Sequence, residues 1–181
     1  TKKVNHTKGN FSIVSDLDLS MWHLVRIDCN EFNKTAAPNI CDYLIHLDIS
    51  FFIQLGDNVH VKAEKQKFGV KFQTKGNSIG NQQNEFNQEI FKLEQSYAEL
   101  IHKKHTFNDN TIDNEINKLK AKMDSINLSN IYKHLDWEYS AVKLQGYDDL
   151  IKQDVYNKFD KKVKESFFGK YLIKTYKLND N

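Results

Sequence analysis

Two groups of side chains in this 181-residue chain combine imidazoles with a carboxylate at spacings suited to a metal ion. The groups are His102, His105 and Asp109, near the end of a predicted helix, and His46, Asp48 and His60, on predicted strands. Residues three apart share a helical face, and residues two apart share a strand face. Neither group supplies a complete ligand set at a spacing known for zinc. We therefore predict no metal site and no cofactor.

An acid followed downstream by Gln-x-Lys is the second candidate. Asp48 lies in the run LDISFF, and Gln73 and Lys75 lie in KFQTK. This order resembles the PD-(D/E)xK nuclease superfamily, in variants where Gln replaces the acid before the Lys. Over about thirty residues, the resemblance implies that Asp48 binds a divalent metal such as Mg²⁺, that Gln73 takes the second position and that Lys75 steadies the attacking water.

The chain departs from that family in two respects. No predicted helix with an early Glu precedes Asp48, and no apolar strands follow Lys75. If the resemblance is set aside, the three side chains simply lie on the polar face of an antiparallel sheet. A magnesium-dependent nuclease is therefore the alternative function rather than the leading one.

Motifs of other enzyme classes are missing from the sequence. It contains no glycine-rich phosphate loop, no Gly-x-Ser-x-Gly turn, no His-Glu-x-x-His helix and no EF-hand loop. This pattern favours a protein without enzymatic activity.

The C-terminal segment is basic, with eight lysines and four acids over residues 150–181. Its aromatic side chains, which could stack on bases while the lysines follow a phosphate backbone, are Phe167, Phe168, Tyr171 and Tyr176. The competing interpretation places these rings in the core and the lysines in solvent. Regular spacing favours the second interpretation, so nucleic-acid binding stays open but is not favoured. A third interpretation has the basic tail lie against the acidic segment 11–60.

Overall charge and composition narrow the classes of partner. The net charge is +2, and 25 of the 26 basic residues are lysine. Because base recognition and bidentate phosphate contacts normally use arginine, the composition argues against sequence-specific DNA binding. No apolar run reaches the length of a membrane span. We predict a cytoplasmic protein without a membrane contact, while export after removal of a leader stays open.

The first part of the chain alternates apolar and polar residues with period two, which predicts β-strands. The predicted strands cover residues 21–29, 43–55, 59–63 and 68–74. Three consecutive strands with short turns predict an antiparallel meander, within a sheet of four or five strands.

The middle of the chain changes to a heptad period. One apolar stripe consists of Phe86, Ile90, Leu93, Tyr97 and Leu100, and the other of Ile112, Ile116, Leu119, Met123 and Ile126. The polar stretch 102–111 separates the stripes. This pattern predicts helices over 83–104 and 111–127 that fold back as an antiparallel coiled-coil hairpin. The hairpin is either a layer packed on the sheet or a projecting arm.

The remaining predicted helices cover 129–143 and 148–166, and 167–178 is either a strand or a helix. The predicted fold class is α+β, with a flexible arm at 1–10 and a single domain over 11–181. Within that domain, residues 11–75 form the sheet, 83–127 the hairpin and 129–181 a helical C-terminal part.

The leading functional prediction is a non-enzymatic module that binds another protein. Phe107 at the hairpin tip, together with Lys118 and Lys122 on the second helix, is the predicted contact surface, because exposed aromatic side chains commonly anchor partners. A homo-oligomer through the heptad helices stays open.

Overall fold

The computed structural model describes residues 22–28 and 48–179, and the fold is α+β. The strands are β1 (His23–Asp28), β2 (Asp48–Ile53), β3 (His60–Gln66) and β4 (Gly69–Lys75). The helices are α1 (Ser78–Phe107), α2 (Asp113–Lys133), α3 (Glu138–Leu144), α4 (Asp149–Lys158), α5 (Lys161–Glu165) and α6 (Phe167–Tyr176), with a 3₁₀ turn over Asn110–Ile112 between α1 and α2. The predicted arm at 1–10 lies outside the described residues.

The described strands form two antiparallel pairs rather than the predicted meander. β1 pairs with β2, with Val25 opposite Phe51, and β3 pairs with β4, with Ala63 opposite Phe72. Within the described residues β2 pairs with β1 and not with β3, so the predicted meander of four or five strands is not confirmed. The alternation identifies strands, but it does not choose their partners.

A small apolar cluster joins the two strand pairs. Ile49 and Phe51 of β2 and Val70 of β4 are buried together there. The segment between β2 and β3 turns at Gly56, whose φ of 86° suits glycine, and the Asp57 carboxylate accepts the Gln54 N–H at 3.0 Å. The chain therefore leaves β2 through a tight turn, in which the Asp57 N–H donates to the Gln54 carbonyl at 3.1 Å, and the two strand pairs meet through side chains.

Asn77 anchors the start of α1 to the strands. Its side-chain oxygen accepts the Gly80 N–H at 2.8 Å and caps the helix. Its amide nitrogen donates to the Phe52 carbonyl at 2.9 Å and to the Asp57 carboxylate at 2.7 Å. One side chain thus fixes the helix, the end of β2 and the following turn relative to each other.

The main core lies between the first turns of α1 and the C-terminal helices. Its buried members are Ile79, Phe86, Ile131, Tyr139, Ala141, Leu144, Val155, Tyr156, Phe159, Val163, Phe168, Leu172 and Leu178. Burial of this many apolar side chains is the dominant stabilising term in a fold of this size.

The C-terminal helices are shorter than predicted. α2 continues to Lys133, and a new helix starts only after Trp137, where the His134 and Trp137 rings stack with centroids 3.6 Å apart. The predicted helix 148–166 is interrupted at Phe159, whose ψ of 143° is extended. Residues 167–176 are helical, because the Ser166 hydroxyl caps α6 by accepting the Gly169 N–H at 3.2 Å.

The chain reverses direction between α1 and α2, and the two helices contact each other. Apart from Gly80, the buried positions of α1, spaced by four, three, four, four and four residues, are Ile79, Gln83, Phe86, Ile90, Glu94 and Ala98. This spacing exceeds the 3.5-residue heptad period and is typical of a helix packed in a globular core. The coiled-coil seam is therefore not confirmed: Leu93, Tyr97 and Leu100 are only partly buried.

Candidate functional site

Phe107 extends the first apolar stripe beyond the point where a second helix can cover it. Continuing the four-three steps from Leu100 reaches Lys104 and then Phe107, the last residue of α1. α2 begins only at Asp113, beside Lys104. Between Phe107 and α2 lies only the short 3₁₀ turn Asn110–Ile112, and the Phe107 side chain is 72% exposed.

The turn that follows Phe107 is ordered by its own hydrogen bonds. Asn108 adopts a left-handed conformation, with φ 49°, and its N–H donates to the Lys104 carbonyl. The Asp109 carboxylate accepts from the Thr111 backbone N–H at 2.9 Å and from its hydroxyl at 2.6 Å. These bonds, the hydroxyl first, hold the pKa of Asp109 below its ordinary value. These hydrogen bonds thus give the backbone next to Phe107 a defined conformation.

Below the tip, polar contacts tie α1 to its neighbours. The Lys104 ammonium pairs with the Asp113 carboxylate at 2.6 Å, which joins the end of α1 to the start of α2. The Gln95 amide donates to the Phe68 carbonyl at 2.7 Å, so the turn between β3 and β4 rests on α1. Glu99 accepts from Lys103 at 3.3 Å, and this contact lowers the pKa of Glu99. Only the last turn of α1 lies beyond these polar contacts.

Lys118 and Lys122 lie on the outer side of α2. They are four residues apart, so they share one helical face, and both are exposed. Lys118 is two residues from the buried Ile116, which places it about 200° around the helix. Neither lysine forms an ion pair with a described residue. The fold thus separates these lysines from the stripe that carries Phe107.

The three residues of the nuclease resemblance lie on strands that do not pair. Asp48 begins β2, opposite Asp28, whereas Gln73 and Lys75 share a face of β4, opposite Lys62 and His60. A cavity of about 120 Å³ between β4 and α1 is lined by Gln73, and its one acid is Glu94 of α1. The family pattern requires the acid and the Gln-x-Lys on neighbouring strands, so the nuclease stays a prediction that the strand order does not favour.

The histidine groups do not assemble a metal site within the described residues, where no three His, Cys, Asp or Glu side chains cluster. The His102 ring packs on Phe68 with centroids 5.7 Å apart, and Asp109 is engaged in the tip turn. His60 is exposed on β3, and His46 lies outside the described residues.

Sequence reasoning missed a group of buried polar side chains between α1 and α3. Glu94 is 8% exposed, and its charge together with burial raises the pKa of Tyr139, with burial the larger cause. Burial also lowers the pKa of Lys143. The spacing of residues in the sequence could have indicated the burial of Glu94, because Glu94 lies four residues after Ile90 and four before Ala98, on the buried face of α1.

The C-terminal aromatic side chains divide between core and surface. Phe168 is buried and Tyr176 is partly buried, with the Lys152 ammonium 3.9 Å from the Tyr176 ring centroid. Phe167 and Tyr171 remain exposed on α6. The predicted placement of these rings in the core therefore holds for only part of the set.

Comparison with known proteins gives no relative: no family model, no curated protein and no solved structure matches this chain. In the part of the chain that the structure describes, no helix combines the length and apolar character that crossing a bilayer requires.

Proposed function

We propose that this chain is a non-enzymatic module that binds another protein through the tip of its helical hairpin. The observation that carries the proposal is the Phe107 side chain, which is 72% exposed at the end of a capped helix. An aromatic side chain has only two rotatable bonds, so fixing it in a partner's pocket loses little entropy. Aromatic anchors of this kind contribute much of the affinity of many protein interfaces.

The charge of α2 indicates the chemistry of the partner. Lys118, Lys120 and Lys122 are exposed and form no ion pair with a described residue. A partner with an apolar pocket for Phe107 and, apart from that pocket, acidic side chains that reach the outer side of α2 would complement both features. The lysines would mainly accelerate association, and the aromatic ring would slow dissociation.

A photocrosslinking amino acid at position 107 tests the proposal directly. The matched control places the same group at position 150, because Leu150 is also a highly exposed apolar residue, at 86%, but lies at the start of α4. In extract from the native source, we expect position 107 to crosslink to one discrete protein and position 150 to give no such product. Equal products from both positions, or a crosslink only to a second copy of this chain, would contradict the proposal.

A triple variant measures the contribution of the surface. Phe107→Ala with Lys118→Glu and Lys122→Glu removes the anchor and reverses two charges, so we expect capture of the crosslinked partner to fall at least tenfold. The melting temperature reports whether the variant still folds. Unchanged capture by a folded variant would rule out this surface.

A further inference from the structure

The solvent side of α6 carries aromatic and basic residues in alternation. Phe167, Lys170, Tyr171 and Lys174 follow the spacing i, i+3, i+4 and i+7, which places them on one face of the helix, and all four are exposed. The opposite side of α6 carries Phe168 and Leu172, both in the main core. This packing fixes the rotation of α6 about its axis, so that the face with the two aromatic rings and the two lysines is exposed to solvent.

Packing under α6 holds these rings in place. The Phe167 ring meets the buried Phe168 ring edge-on, with centroids 5.3 Å apart and planes at 86°. A Cβ at Gly169 would collide with the Val163 carbonyl, so the backbone of α6 lies directly on the end of α5. Phe167 and Tyr171 are 39% and 41% exposed, about 6 Å apart along the helix axis. Phe167 is thus held against the core by its edge-on contact, and both rings have an accessible part.

The lysines of this face, and Lys177 directly after α6, form no ion pair with any residue in the described part of the chain. Residues 166–178 include Lys170, Lys174 and Lys177 and no acidic residue. Among the described residues, none of these three lysines forms an ion pair, whereas Lys152 and Lys158 on α4 each pair with an aspartate. An anion approaching α6 therefore meets three lysines that form no ion pair with a described carboxylate.

We propose that this face of α6 binds single-stranded nucleic acid without sequence preference. Phe167 and Tyr171 stack on unpaired bases, and Lys170, Lys174 and Lys177 contact the phosphates. The rings favour a single strand over a duplex, because stacked and paired bases offer no free face to them. Lysine contacts phosphate as a point charge and reads no base edges, which makes the interaction insensitive to sequence. This activity uses a surface separate from the hairpin tip.

Fluorescence anisotropy with a labelled oligothymidylate of about sixteen nucleotides tests the proposal. We expect the whole chain to bind this strand more tightly than a duplex of equal length. Three phosphate contacts predict that the logarithm of the association constant falls with the logarithm of salt concentration with a slope of about −2. Vesicles that contain phosphatidylserine provide the comparison with an anionic surface that has no bases.

Two double variants separate the rings from the charges. Phe167→Leu with Tyr171→Leu keeps apolar side chains but removes the stacking faces, and we expect roughly tenfold weaker binding of the strand. Lys170→Gln with Lys174→Gln should weaken binding and make the salt slope shallower by about 1.4. The matched control, Lys92→Gln with Lys133→Gln, removes the same charge from exposed positions of α1 and α2 and should bind like the wild type.

The proposal would be overturned if the chain does not bind the strand at about 50 mM salt, or if it binds duplex or vesicles as tightly as the strand. It would also be overturned if the two lysine variants lose equal affinity for the strand, or if the ring variant keeps the affinity of the wild type. Circular dichroism checks that each variant folds. If the ring double variant is unfolded, Tyr171→Leu alone gives the same test, because Tyr171 is the more exposed of the two rings.

Discussion

The two ends of α1 present the same side chain in opposite environments. Phe86 is 1% exposed, and its ring meets the Tyr139 ring with centroids 5.4 Å apart. Phe107 belongs to the same apolar stripe, six steps along, and is 72% exposed. The difference shows that the stripe has two roles: one end contributes to the core, and the other end extends beyond it.

The neighbouring elements explain this contrast. The first end of α1 is covered by α3 and by the last residues of α2, where Ile131 is buried. Past Ala98, no side chain of α1 is fully buried, and between Ile116 and Asn130 none of α2 is. The distal half of the hairpin has fewer buried side chains, Ile116 among them, and is also held by polar contacts that include Lys104 with Asp113 and Gln95 with Phe68. Stability and an accessible surface are thus located at opposite ends of one helix.

The largest expected effect comes from Phe86→Ala. Removing a buried ring loses its transfer free energy and leaves a cavity, so we expect the free energy of unfolding to fall by about 3–5 kcal/mol. Urea denaturation followed by circular dichroism measures the change. A loss below about 1 kcal/mol would mean that the first end of α1 is not part of the core.

Asn77→Ala should have an intermediate effect on stability. It removes the cap of α1 and the two hydrogen bonds to Phe52 and Asp57, and we expect a loss of about 1–2 kcal/mol. Asn77→Ser is the matched control, because serine retains the cap but cannot form both outer bonds. We expect it to lie between the wild type and the alanine variant in the same denaturation experiment. If both variants are as stable as the wild type, Asn77 does not anchor the helix to the strands.

The smallest expected effect on stability is that of Phe107→Ala. Because the ring contacts little, we expect the free energy of unfolding to stay within about 0.5 kcal/mol of the wild type. Partner capture should nevertheless fall, and the two measurements together separate binding from folding. A stability loss similar to that of Phe86→Ala would show that Phe107 is a packing residue after all.

Periodicity identified much of the architecture. The period-two alternation located β3 and β4, and the heptad stripes located α1, α2 and the reversal between them. Which strands pair with each other was not predicted. β2 pairs with β1, because strand pairing depends on the turn after Ile53 and on side chains distant in sequence. The breaks before Trp137 and at Phe159 were also missed, since no glycine or proline lies at either position to signal them.

The candidate sites, too, were predicted in part from the sequence and decided in part by tertiary contacts. The position of Phe107 at a turn was readable from the sequence, because turn residues follow it directly. Its exposure depends on where α2 begins, and the exposure of Phe167 and Tyr171 depends on which side of α6 packs on Phe168 and Leu172. A sequence pattern records which residues share a face, whereas burial depends on what lies against that face.

Local periodicity and turn chemistry were enough to specify helices, strands and the fold class, because these depend on residues close together along the chain. The pairing of the strands, the burial of Glu94 and the faces left to solvent came from contacts between residues far apart in the chain. Such contacts follow from the combined packing of all elements, which no single segment of sequence contains.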